Sequence, residues 1–145
     1  MTATTVTALV EALGAAIEGA SRADGEQWRA PAGVEPDAEL SAADIHRTFS
    51  IDHRDAIRSL RWTGLTGLDL VEAPVTVLLH SVAVGDARKE EAAALDDARA
   101  VAHAIEVLSS PGLEFVTVES THLERDGDDL VARLAVILRF FAAVP

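Results

Sequence analysis

The chain has no cysteine and no tyrosine, one methionine and one lysine, and its aromatics are two tryptophans and four phenylalanines. Without cysteine there is no disulfide, no thiolate nucleophile and no cysteine-held zinc, a composition that fits a reducing compartment. No run of about 18 uncharged apolar residues occurs, so nothing reads as a membrane-spanning helix. The apolar start of the chain has no basic leader and carries Glu11, which argues against a secretory signal. Basic charge is scarce too. Twelve Lys and Arg face 24 Asp and Glu, for a formal net charge of −12 over 145 residues. Such a surface repels phosphate and argues against a nucleic-acid binder.

Constellations that carry chemistry are also missing. The five histidines, His46, His53, His80, His103 and His122, include no i, i+4 pair on one helix and no compact spacing with carboxylates. His46 and His53 flank one strand and, an odd number of residues apart, face opposite ways. His103 reads as a solvated helix residue and His80 as a hydrogen-bonded strand residue. The G-x-x-G of Gly64 and Gly67 lacks a following helix and the Lys-Ser/Thr of a phosphate loop. No G-x-S-x-G elbow is present. Asp96-Asp97 and Asp128-Asp129 fall on a polar helix face and a turn tip, where nothing dries a carboxylate enough to raise its pKa. The sequence reads as non-catalytic, with no metal and no cofactor.

What is present is periodicity. Residues 4–19 predict an N-terminal helix, with Val6, Leu9, Val10, Leu13, Ala16 and Ile17 on one stripe, a threonine cap and Gly19 at its end. Residues 21–43 hold Gly25, Pro31, Gly33 and Pro36 without a period and predict a long loop; Trp28 within it is expected to pin the loop to the core. Residues 45–52 alternate as a half-buried strand. Residues 55–70 read as loop, with a helical turn near 55–60. Pro74 is expected to open a strand that is apolar on both faces, which calls for cover above and below. A partner subunit is one way to supply that cover. Residues 86–109 predict a central helix capped by Asp86, burying Ala94, Leu95, Ala98, Val101, Ala102, Ile105 and Leu108.

Two long strands follow, 113–124 and 130–141, joined at Asp126-Gly127. That turn places Leu123 opposite Leu130 and Thr117 opposite Val136. It also sets Glu124 against Asp129, a like-charge clash that a longer turn would relieve. About a dozen residues at roughly 3.3 Å each give strands of about 40 Å, against a radius of gyration near 15 Å for such a domain. The acidic tip is therefore expected to project. The chain reads as one α+β domain, 1–145. Its mixed or antiparallel sheet has about four strands, ends in a long C-terminal β-hairpin, and is packed by the N-terminal and central helices.

The order of these elements resembles the tail terminator and tail-completion proteins of long-tailed bacteriophages and phage-tail-like particles. An N-terminal helix and an edge strand precede the apolar strand Ala73-Pro74-Val75-Thr76-Val77-Leu78-Leu79. An Asp-initiated helix follows, then a strand, an acidic turn and a last strand ending Ile137-Leu138-Arg139-Phe140-Phe141. The likeness covers residues 75–141 and, in outline, the first helix; residues 21–70 have no counterpart in it. It implies a virion protein that assembles in the host cytoplasm into a homohexameric ring. The ring caps the tail tube and meets neck or connector proteins, while DNA passes through without specific binding. It implies no reaction, cofactor or membrane partner. An acidic surface is an ordinary solubility device, and it also suits a lumen that must not hold DNA.

On this reading the contacts fall on the hairpin, at Leu123 and Leu130, on the first helix, and on the one local basic cluster, Arg54, Arg58 and Arg61 beside Trp62. The alternative is a non-catalytic α+β module for a small ligand or partner, with an apolar pocket between sheet and helix lined by His80 or Trp62.

Overall fold

The computed structural model describes residues 2–20, 28, 47–53, 57–62, 67–82 and 85–144, and of Arg61, Trp62 and Ala87 the backbone alone. The described elements are α1 (Val6–Glu18), β1 (Thr48–His53), β2 (Arg58–Trp62), β3 (Leu68–Val82), α2 (Ala87–Glu106), β4 (Leu113–Asp126) and β5 (Asp129–Ala143). The expected α+β class holds: two helices pack a five-stranded antiparallel sheet that ends in the β4–β5 hairpin. Strand order is β1-β3-β5-β4, with β2 beside β1 on the same flank of β3.

Alternation along β3 and β5 decides which face is core. Val71, Ala73, Val75, Val77 and Leu79 are buried and pair across the sheet with Phe140, Leu138, Val136, Leu134 and Ala132, which are buried too. Leu9, Leu13 and Ile17 of α1 and Ala98, Val101 and Ile105 of α2 pack on this layer, and Trp28 joins the same core. Each buried Leu, Ile or Val of this layer contributes about 1.5–3 kcal/mol. Of the stripe read for α1, Leu9, Leu13 and Ile17 are buried and Val6, Val10 and Ala16 half-buried. Thr5 caps α1 by accepting from Ala8 N at 3.2 Å, and Asp86 caps α2 by accepting from Arg88 N at 3.0 Å. On α2 the expected Ala94, Ala98, Val101 and Ile105 are buried, while Leu95 is 42% exposed and Asp97, read as polar-face, is buried instead.

Several expectations are corrected. Residues 58–62 form β2, not loop or helical turn, because Arg58, Ser59, Arg61 and Trp62 find ladder partners in Glu72, Val71, Leu70 and Asp69. Ser59 Oγ also donates to both carboxylate oxygens of Asp69, at 2.9 and 2.7 Å. Pro74 does not open β3, which starts six residues earlier at Leu68. Proline is tolerated mid-strand here because β2 pairs up to Glu72 and β1 begins at Val75, so Pro74 falls in the gap between its two flanking partners. The first strand begins at Thr48; positions 45 and 46 lie outside the described residues, as do 21–43 apart from Trp28.

The hairpin turn is Gly127-Asp128, one residue later than the Asp-Gly signal suggests. Asp126 pairs with Asp129, Leu123 with Ala132, and Glu124 with Val131. Gly127 takes a φ of 60°, the conformation a type II′ turn needs at its first central position. Glu124 thereby escapes Asp129, although Asp126 takes its place opposite that residue. A bulge between Val118 and Ser120 then resets the alternation, so that Val118 rather than Thr117 faces Val136. The tip does not project: β3 accompanies β5 along its whole length, from Leu68–Ala143 to Val82–Asp129.

Candidate assembly surfaces

The residues singled out as contacts fall into two separate places. Arg54 lies outside the described residues. Arg58 is exposed on β2, opposite Glu72, and the backbones of Arg61 and Trp62 continue that strand. Leu123 and Leu130 sit at the other end of the sheet, where Leu130 pairs with Ser81. From Leu70 to Ser81 is eleven residues of β3, about 36 Å. The structure therefore does not bring the arginine group and the hairpin leucines together.

Leu130 is 1% exposed and packs with Ala94 of α2; Leu123 is half-buried against the same pair. Leu130 is thus engaged within its own chain. The tip is also tied to α2 by charge. Arg125 Nη1 donates to Glu91 at 3.1 Å and its Nε donates to the Gly127 carbonyl at 2.9 Å. Near the other end of α2, the Glu106 carboxylate accepts from Val118 N at 3.3 Å. Glu91 to Glu106 is about 22 Å of helix and Arg125 to Val118 about 23 Å of strand. α2 therefore runs antiparallel along β4 and braces the upper half of the hairpin.

Two further surfaces stand out, the second of them foreshadowed by the strand read as apolar on both faces. The first is the outer edge of β4, with which no strand pairs among the described residues. Fourteen residues of largely exposed strand carry outward amide and carbonyl groups, the usual template for pairing with another chain. The Glu106 contact and the bulge guard its lower part, which leaves residues 120–126 the least protected.

The second is the sheet face turned away from the helices. Its middle carries half-buried apolar residues, Leu78, Val131, Ala135 and Ile137, with Arg133 exposed among them. Among the described residues no helix or strand covers it. At the end near the chain termini, Arg139 Nε donates to Glu72 at 2.9 Å while its guanidinium lies 5.6 Å from the centre of the Phe115 ring, and Arg58 stands beside Glu72. At the hairpin end lie Asp129, Glu124, His122 and His80. Burial holds the His80 imidazole below its ordinary pKa, against a smaller opposing pull from Asp129. The two-sided apolar pattern of β3 was the available signal for this face.

Two concave apolar sites among the described residues are shallow. One cleft of about 400 Å³ is lined by Ala3, Thr4, Val6, Ile57, Phe140 and Ala142. Another lies between α1 and β1, with Val10, Gly14, Phe49 and Ile51 in its walls. His80 lines neither. No group of three or more metal-ligating side chains exists among the described residues. No protein-family model matches the chain, and no curated protein matches it.

Proposed function

We propose that this chain is a structural assembly protein, a ring-forming tail terminator or head–tail neck component of a long-tailed phage or phage-tail-like particle. The observation that carries the assembly reading is the long edge of β4, which ends the sheet with its ladder groups facing outward and offers a second chain a place to bind. The particle itself is proposed from the order of elements: helix, apolar strand, Asp-capped helix, hairpin. The net charge of −12 suits a ring through which DNA passes without sticking. The chain is then non-catalytic, and its partners are other copies of itself, the tail tube protein and the neck proteins.

The test is solution mass by light scattering over a wide concentration range, with negative-stain imaging of the largest species, alone and with a tail tube protein. Six chains in a closed ring, or rings capping tubes, are expected. A protein that stays monomeric in both settings refutes the reading. The alternative, a small-ligand module, draws on the apolar cleft beside the start of α1. Thermal stabilisation by apolar compounds, lost in Ala142→Trp, would favour it.

A further inference from the structure

From the open sheet face we infer that two copies of this chain pack face to face through it, antiparallel, with β5 of one lying over β5 of the other and Ala135 at the two-fold axis. This does not rest on the tail reading, because it uses the face and not the edge.

Area is the first argument. The sheet is four strands wide, about 19 Å at 4.8 Å per strand, and β3 and β5 run together for 15 residues, close to 50 Å before twist shortens them. That gives a footprint of at most roughly 800–900 Å² per copy, since Thr48 at the β1 margin is already buried, close to what a stable interface of standard size buries from each partner. The half-buried strip of Leu78, Val131, Ala135 and Ile137 supplies its apolar part, with the exposed Arg133 set within it, and the other charged residues of β3 and β5 on this face stand toward the ends.

Charge decides the orientation. One end of the face carries Arg58 and Arg139 against Glu72; the other carries Asp129 and Glu124. A parallel stacking would set the arginines of both copies together and the acids of both together. Turning one copy end for end lays Arg139 over the segment around Val131 of the second copy, beside Asp129 and Glu124. Arg133, which has no ion-pair partner among the described residues, then lies over Ile137, with Glu72 of the second copy one row further along. Aligned sheets stacked about 10 Å apart permit this contact without moving either backbone. The symmetry is isologous, so the pair closes on itself.

The two-fold axis gives a sharp test. In Ala135→Glu or Ala135→Arg, like charges meet across the axis. Each variant alone should raise the dimer dissociation constant by a hundredfold or more. An equal mixture of the two should restore the dimer by pairing opposite charges. Sedimentation velocity reads the masses, and circular dichroism confirms that each variant is folded. Should either variant fail to fold, Thr76→Cys replaces it. The chain has no other cysteine, and position 76 pairs with Ala135 on this face, so a short bismaleimide should link two copies through it. The inference is overturned if the wild type is monomeric, if both variants associate like the wild type, or if Thr76→Cys does not cross-link. A wild-type ring that survives both charge variants rejects this face and leaves the tail reading standing. A dimer that dissociates in the variants, but never becomes a ring, does the opposite.

Discussion

Leu130→Ala separates two roles for one residue, contact with a neighbour or support of its own fold. The side chain is 1% exposed and packs with Ala94 and Leu123, a small cluster beside the main core. Truncation removes its burial and leaves a cavity, which costs about 2–5 kcal/mol for leucine. The lower half of that range applies, about 2–3 kcal/mol, because the cluster sits close to the turn and Leu123 can lean into the gap. With a urea dependence of about 2 kcal/mol per molar, the unfolding midpoint should fall by about 1–1.5 M with no change in slope. Hydrogen exchange should rise first in residues 120–134 and in the first turns of α2, the parts this cluster joins. Leu130→Asp buries an unpaired charge and should not yield a folded chain. A midpoint within error of wild type, together with weakened self-association, would refute the core assignment and place Leu130 on a contact surface.

Other outcomes follow from single geometric facts. Asp86→Ala removes the acceptor for Arg88 N and should cost about 1 kcal/mol, read as a lower unfolding midpoint. Gly127→Ala meets no neighbouring atom and should cost about 1 kcal/mol from its φ of 60° alone. Gly112→Ala should cost about 2 kcal/mol or more, since its new Cβ would stand 2.7 Å from Thr2 O and 2.8 Å from Thr4, and the N-terminal segment must move. For His80 the folded pKa lies below the unfolded 6.5, so the unfolded chain binds the proton first. Its neutral form favours the fold above pH 6.5. That advantage declines as pH falls from there toward the folded pKa, so urea midpoints should drop on acidification, and less so in His80→Gln.

How much of this was legible in the sequence depends on whether a residue's role is set locally. The α1 stripe, the Asp86 cap and the two long strands are written in nearest-neighbour patterns and emerge where expected. β2 is different. Arg58-Ser59-Leu60-Arg61-Trp62 has one aliphatic and one aromatic residue among three polar ones, and it becomes a strand because β3 extends past Pro74 and offers an edge to pair with. Pro74 itself misled in the same way: a proline reads as a boundary, whereas its cost here is avoided by the gap between two partner strands.

Leu130, one of the candidate contact residues, is buried in its own chain for a related reason. Proximity to a turn suggests exposure, and Leu130 lies two residues beyond one. Its burial comes from elements distant in sequence, α2 lying over the hairpin and β3 running beside β5 to Val82. Once the tip is braced, the surfaces left for a partner are those that own-chain packing does not reach, the β4 edge and the helix-free face. The apolar pattern on both sides of β3 already implied the second. A sheet face that carries Leu78, Val131, Ala135 and Ile137 around Arg133 gains from a layer on that side, and among the described residues this chain spends both helices on the other. The uncovered layer is therefore where a second copy contributes most, and substitution at Ala135 addresses it directly.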